Sequence, residues 1–124
     1  MKNAGKEAPG EQPRGDLFIH TAAMPADTNP NGDIFGGWLL SQMDIAGGIA
    51  ARIHSGGRTV TIAVESMTFK KPVQVGDVVS CYAEIERVGK TSMTFLIEVW
   101  TLRVDSFVRE KVTEGVFTYV AIGP

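Results

Sequence analysis

The sequence predicts an α+β domain in which a curved antiparallel sheet wraps one long helix. Three observations carry this expectation. An apolar stretch of helical length lies between about Ile34 and Ile53, and four β-patterned segments follow it with short turn sequences between them. A chain of 124 residues that is 44% hydrophobic has room for one compact core and little reason to divide into two.

Residues 1–16 are rich in Lys, Glu, Gly and Pro with isolated apolar positions, too few to offset the entropy of ordering them, so a flexible tail is expected there and a single domain over 17–124. Leu17 to Ala23 reads as a first strand. The loop from Met24 to Asp33 holds two prolines, two asparagines and a glycine, which mark turns. It feeds a helix expected to begin near Ile34 to Gly37, to run to about Ile53 and to stop at Gly56-Gly57.

Trp38, Leu39, Leu40, Met43, Ile45 and Ile49 point in several directions at 100° per residue, so this helix is expected to be buried all round. Gly47 and Gly48 each cost it about 1 kcal/mol relative to alanine, so something must gain from the missing side chains. Ser41, Asp44, Gly48 and Ala51 fall on one narrow face, a groove of small residues holding one carboxylate.

The later strands are expected over Val60 to Phe69, Val78 to Val88, Ser92 to Val104 and Lys111 to Ile122, with Met93, Phe95, Ile97 and Val99 sharing one face of the third. Gly76-Asp77 and Gly89-Lys90 fit tight connections between antiparallel neighbours. A small sheet curled over one helix leaves an edge strand open, and dimerisation by edge pairing is the simplest remedy.

Charge and cysteine content narrow the function. A net charge of -2 gives no overall basic field of the kind nucleic-acid binding needs. The longest apolar run, interrupted by Ser41, Gln42 and Asp44, falls short of the roughly 20 residues that span a bilayer. No charged start followed by an apolar core and a small-residue cleavage site is present, so a cytoplasmic location is the default. Cys81, the single cysteine, excludes a disulfide within the chain and reads as a buried free thiol. His20 and His54 have no neighbour at metal-ligand spacing, so no metal is expected.

Asp44 is the only ionisable residue between Gly36 and Ala51, and an unpaired carboxylate in apolar surroundings is costly. Either it hydrogen-bonds a neighbouring loop or subunit, or it serves as a general base or nucleophile. The segment from Asn29 to Gly37 offers either a turn with Asp33 as N-cap, or close backbone approach at Gly36 and Gly37 for a developing oxyanion, with Asn29 or Asn31 as an amide donor. Arg58, Lys70, Lys71, Arg87 and Lys90 are each read as solvated surface. Converging at a dimer edge, they would suit the phosphates of a nucleotide-bearing substrate, with Gly89-Lys90-Thr91-Ser92 adding backbone and hydroxyl donors.

Three separated blocks resemble the YciA-type acyl-CoA thioesterases of the hotdog-fold superfamily: Asn29 through Asp44, Met67 through Val73 with Val75-Gly76-Asp77, and Val88 through Ser92. The likeness runs from about Leu17 to Ile122. It implies a hotdog fold, a homodimer as minimal unit, hexamers built as trimers of dimers, and active sites at the dimer interface. The family's catalytic aspartate falls on Asp44, its loop asparagine on Asn29, and the amide-bearing glycines on Gly36 and Gly37. Gly89 to Ser92 lies where relatives contact coenzyme A. Many relatives have His where this chain has Phe35, and YciA-like members resemble this chain in having Phe.

The implied function is hydrolysis of acyl-CoA to free fatty acid and coenzyme A, with coenzyme A part of the substrate and no separate cofactor. Ser41 and Thr68 are candidate helpers in placing water. A non-catalytic acyl-CoA binding or sensing module is the alternative. A dehydratase would need a His paired with a carboxylate, and the segment around Asp44 holds no His.

Overall fold

The computed structural model of the chain describes residues 6–7 and 11–123. Its elements are β1 (Lys6–Glu7), β2 (Asp16–Ala22), α1 (Gly36–Ser55), β3 (Thr59–Phe69), β4 (Val78–Val88), β5 (Ser92–Leu102) and β6 (Val108–Ala121), with a 3-10 turn at Pro25–Asp27. Five long strands form one antiparallel sheet in the order β2-β4-β5-β6-β3, and β1 adds in parallel at the start of β6. This is the expected sheet around one helix, with the later strands matching their sequence patterns to within a few residues at either end.

The helix begins and ends for separate reasons. Gly56 takes the left-handed conformation at φ 76°, and its N–H closes on the Arg52 carbonyl at 2.9 Å, which is the glycine stop that the sequence foretold. At the start the N-cap is Phe35, whose side chain makes no capping hydrogen bond, so the expected Asp33 cap is corrected. Main-chain bonds fix the entry instead: Phe35 N–H donates to Asp27 O at 2.7 Å and Ile34 N–H to Val73 O at 2.9 Å.

Leu39, Met43, Ala46, Gly47, Ala50 and Ala51 form the buried side of α1. They pack on the inward residues of the sheet, among them Val79 and Cys81 of β4, Phe95, Ile97 and Val99 of β5, and Phe117 and Tyr119 of β6. The expectation of a helix buried all round does not hold in one chain: Leu40, Ile45, Ile49 and Ile53 are exposed, the last at 70%, and so are Val60, Ile62 and Val64 on β3 beside them. One sheet curls over one side of a helix only.

The two mid-helix glycines serve different ends. A Cβ on Gly47 would fall 2.1 Å from the Tyr119 hydroxyl and 2.6 Å from Ile97 Cδ1, so the missing side chain admits Tyr119 from β6. Gly48 faces open space within the chain.

Unexpectedly, β5 is buried on both faces, since Thr94, Leu96, Glu98 and Trp100 are as enclosed as the inward set. Glu98 accepts a hydrogen bond from Trp100 Nε1 at 2.9 Å and one from the backbone N–H of Arg14 at 3.2 Å. Arg14 also donates through Nε to Glu84 at 2.8 Å. The segment expected to be a flexible tail lies partly outside the described residues. Acceptors on the outer face of the sheet, invisible in composition, hold Arg14, and β1 pairs with Val108 and Arg109.

A further correction concerns Gly76-Asp77, which does not join antiparallel neighbours: β3 and β4 lie apart in the sheet, and the connection crosses its end. A buried ion pair anchors that crossing. Asp77, fully buried, accepts from Arg103 Nη1 at 2.8 Å and from the N–H groups of Gln74 and Val104 at 2.9 Å each. Arg103 extends to Pro72 O at 2.8 Å and, through Nε, to Glu110 at 2.6 Å, and Lys71 meets the other Glu110 oxygen.

Three outcomes follow from these contacts. Gly47→Ala is expected to lower the free energy of unfolding by about 1–3 kcal/mol despite the roughly 1 kcal/mol gain in helix propensity, read from denaturant titration. Burial pushes the Cys81 thiol up to about 12, so a thiol reagent at pH 8 should label it only after unfolding. Glu110 is held below its ordinary value of 4.5 by its hydrogen bonds to Lys71 and then Arg103, and Glu114 by Lys111. Their folded values lie below the unfolded ones, so the stability they add is complete above about pH 4.5 and is lost as pH falls through the folded values. Thermal melts down the acid range should show that loss, made shallower by Glu110→Gln.

Candidate active site

Asp44 sits half-buried in the third turn of α1, at the border between the packed and bare sides of the helix. Its Oδ1 accepts two hydrogen bonds, from Thr61 Oγ1 at 2.7 Å and from the Tyr119 hydroxyl at 3.0 Å. The same hydroxyl lies 3.1 Å from the Asp44 carbonyl oxygen. Thr61 and Tyr119 are register partners across β3 and β6, so one rung of the sheet supplies both donors. Burial first, and then the neighbouring carboxylate, push the Tyr119 phenol far above its ordinary range, so it stays a proton donor.

Neither Thr61 nor Tyr119 was singled out from the sequence, because nothing local announces a partner 17 or 75 residues away. The usable signal was the glycine pair, which demanded something bulky against the helix. Ser41, named as a helper, turns its hydroxyl back to the Trp38 carbonyl at 2.9 Å. Thr68 lies exposed on β3, opposite Glu114.

The loop before the helix is rigid by its own bonding. Asn29 Oδ1 accepts the N–H groups of Asn31 at 2.9 Å and Asp33 at 3.1 Å, an Asx-type turn. Its oxygen is thereby committed, and the NH2 end remains as the donor. Gly36 and Gly37 open the helix with no side-chain cap over their N–H groups. A Cβ at either would meet only one ring carbon at ordinary contact, 3.9 Å for Gly36 and 4.0 Å for Gly37, so packing within the chain does not require glycine at either position. Beside them a cleft of about 240 Å³ is lined by Ile34, Leu39, Phe69 and Lys70, among others. Lys70 is thus brought to the helix start, where its Nζ lies 3.9 Å from Glu114.

The other basic and polar candidates are elsewhere. Arg87 is exposed near the end of β4, and Gly89, Lys90, Thr91 and Ser92 form the hairpin to β5, closed by Gly89 N–H to Ser92 O at 2.8 Å. That hairpin borders a cleft of about 250 Å³ with His54 and Ser55 at the C-terminal end of α1. A 20-residue helix is about 30 Å long, so one chain does not bring this hairpin to Gly36 and Gly37. Asp44 likewise stands seven residues beyond Gly37, about 10 Å along the axis. Among the described residues, no cluster of His, Cys, Asp and Glu could hold a metal ion, and no helix is long and apolar enough to cross a membrane.

Comparison with known proteins adds an independent line. Residues 31–105 match the family model of the Thioesterase superfamily. The chain is 57% identical to the acyl-CoA thioester hydrolase YciA of Escherichia coli, over 90% of this chain and 87% of that protein. Among solved structures, a hexameric thioesterase from Yersinia pestis superposes with a TM-score of 0.87 at 57% identity, covering 90% of this chain and 91% of that one. A hexameric hotdog fold thioesterase of Campylobacter jejuni does so at 0.84 and 47% identity, covering 88% and 84%. With its long helix wrapped by an antiparallel sheet and its identity to these enzymes sustained over nearly its whole length, the chain belongs to the YciA-type acyl-CoA thioesterases of the hotdog-fold superfamily.

Proposed function

We propose that the protein hydrolyses acyl-CoA thioesters to a free carboxylic acid and coenzyme A, with Asp44 as general base or nucleophile. The observation that carries this reading is the state of the Asp44 carboxylate: both hydrogen bonds converge on Oδ1, and among the described residues none is made to Oδ2. As a base, Oδ2 takes a proton from water while the water oxygen bonds to the thioester carbonyl carbon. The C–S bond then breaks, its electron pair goes to sulfur, and the proton follows to give the thiol. As a nucleophile, Asp44 would displace the thiolate to form an anhydride that water opens.

The carbonyl oxygen needs donors about 3 Å away as charge develops on it. The uncapped amides of Gly36 and Gly37, with the NH2 of Asn29 beside them, have the right chemistry but lie about 10 Å along the helix from Asp44. One carbonyl cannot meet both in the same chain. The reading therefore pairs Asp44 of one protomer with the helix start of a second. The bare apolar face of α1 and the free edge of β3 suit such a partner, since edge pairing would continue the sheet and lay two helices side by side. The same packing would draw the Gly89 to Ser92 hairpin, Arg87 and Lys90 of one chain toward the helix start and Lys70 of the other, giving donors for the phosphates of coenzyme A. A dimer is then the minimal active unit, and three such dimers would make a hexamer, the state in which the Yersinia pestis and Campylobacter jejuni relatives are described. Coenzyme A enters as part of the substrate, and the reaction calls for no separate cofactor.

Free-thiol release from acyl-CoAs between acetyl and palmitoyl should be rapid for the native protein. In Asp44→Asn, kcat is expected to fall about 10²- to 10⁴-fold, with circular dichroism and oligomeric state unchanged. Full turnover in the folded variant would reject the assignment. Coenzyme A binding without any thiol release by the native protein would identify a binding module instead.

A further inference from the structure

We propose that Tyr119 is a positioning residue for Asp44, holding the carboxylate from the core side through its hydroxyl, and that Gly47 is the opening in the helix that admits this hydroxyl. The inference rests on the catalytic reading of Asp44 and deepens it.

The tyrosine ring is only 1% exposed and is fixed from two sides. Phe95 meets it edge-on with centroids 6.1 Å apart, and Phe117 stacks near-parallel at 6.4 Å. A ring held in this way puts its hydroxyl at one place, and that place lies between Asp44 Oδ1, at 3.0 Å, and the Asp44 carbonyl oxygen, at 3.1 Å. One proton shared between a residue's side chain and its own backbone ties the carboxylate to the helix, so its rotation about the last side-chain bonds is restricted. Thr61, on the edge strand, adds a second donor to the same oxygen from the exposed side. The result is a carboxylate with Oδ1 held by two donors and, among the described residues, no hydrogen bond to Oδ2.

The arrangement has a visible cost in the sequence. Gly47 lies three residues after Asp44 and so on the same side of the helix, where any side chain would overlap the phenol: its Cβ would stand 2.1 Å from the hydroxyl and 2.7 Å from Cζ. Helix propensity alone would favour alanine there. Packing against Phe95 and Phe117 would be served by phenylalanine as well as by tyrosine. The hydroxyl, which needs both a buried acceptor and a gap in the helix, is therefore explained by the carboxylate and not by the core.

Tyr119→Phe keeps the ring and removes the hydroxyl, and isolates this role. The expected result is a fall in kcat of about three- to tenfold, the net worth of one hydrogen bond. KM should stay within about twofold of the native value. Combined with Asp44→Asn, the loss should be non-additive, as for groups that act as a unit. A lesion in packing alone would lower the melting temperature while leaving kcat unchanged wherever the variant is folded. An unchanged kcat in folded Tyr119→Phe, while Asp44→Asn is inactive, overturns the role of Tyr119 and leaves the catalytic reading standing. Turnover retained in Asp44→Asn overturns both.

Discussion

A single five-stranded sheet covers only half the circumference of a helix, and most of what distinguishes this molecule follows from that limit. The covered half of α1 is narrow and small-featured, with Ala46, Gly47, Ala50 and Ala51 drawn close to the strands. Close approach is what allows Tyr119, rooted in β6, to reach past the helix surface to Asp44. The uncovered half keeps Leu40, Ile45, Ile49 and Ile53 in contact with water beside an open strand edge, an arrangement that apolar burial would resolve by bringing up a second copy. Asp44 stands at the border of the two halves, where Thr61 and Tyr119 both donate to one oxygen of its carboxylate.

The position of the helix start depends on a separate device at the far end of the sheet. The connection from β3 to β4 has to cross from one edge of the sheet toward the other, and it is held there by Asp77, Arg103, Glu110 and Lys71. That connection in turn accepts the Ile34 N–H through Val73 O and exchanges main-chain hydrogen bonds with Ala23. A buried charge pair of this kind gives little net stability against an apolar substitute, but it fixes geometry, because removing either partner strands the other. The uncapped amides of Gly36 and Gly37 are aimed by a loop in which Asn29 Oδ1 accepts the N–H groups of Asn31 and Asp33 and leaves it little freedom.

Much of this was legible in the residues themselves. Strand and helix limits followed from period and punctuation: Gly56 ends the helix where a left-handed residue was expected, and Met93, Phe95, Ile97 and Val99 share the inward face of β5. Asp44 stood out because burial of an unpaired charge is costly wherever it occurs, and the resemblance carried by three ordered blocks named the chemistry. These are properties of local sequence and of one residue's solvation, and need no knowledge of what packs on what.

What only the tertiary structure decided is pairing at a distance. The partners of Asp44 come from Thr61 and Tyr119, brought level by the β3 to β6 register, and no local pattern encodes which residue a strand will meet across a ladder. The same holds for Glu98 meeting Arg14, for Asp77 meeting Arg103, and for the different uses of two adjacent glycines, one filled by a phenol and one left open. An apolar helix surface reads the same in sequence whether its own sheet or a second chain covers it. The sheet's curvature, which depends on all five strands together, decides which half of this helix is which.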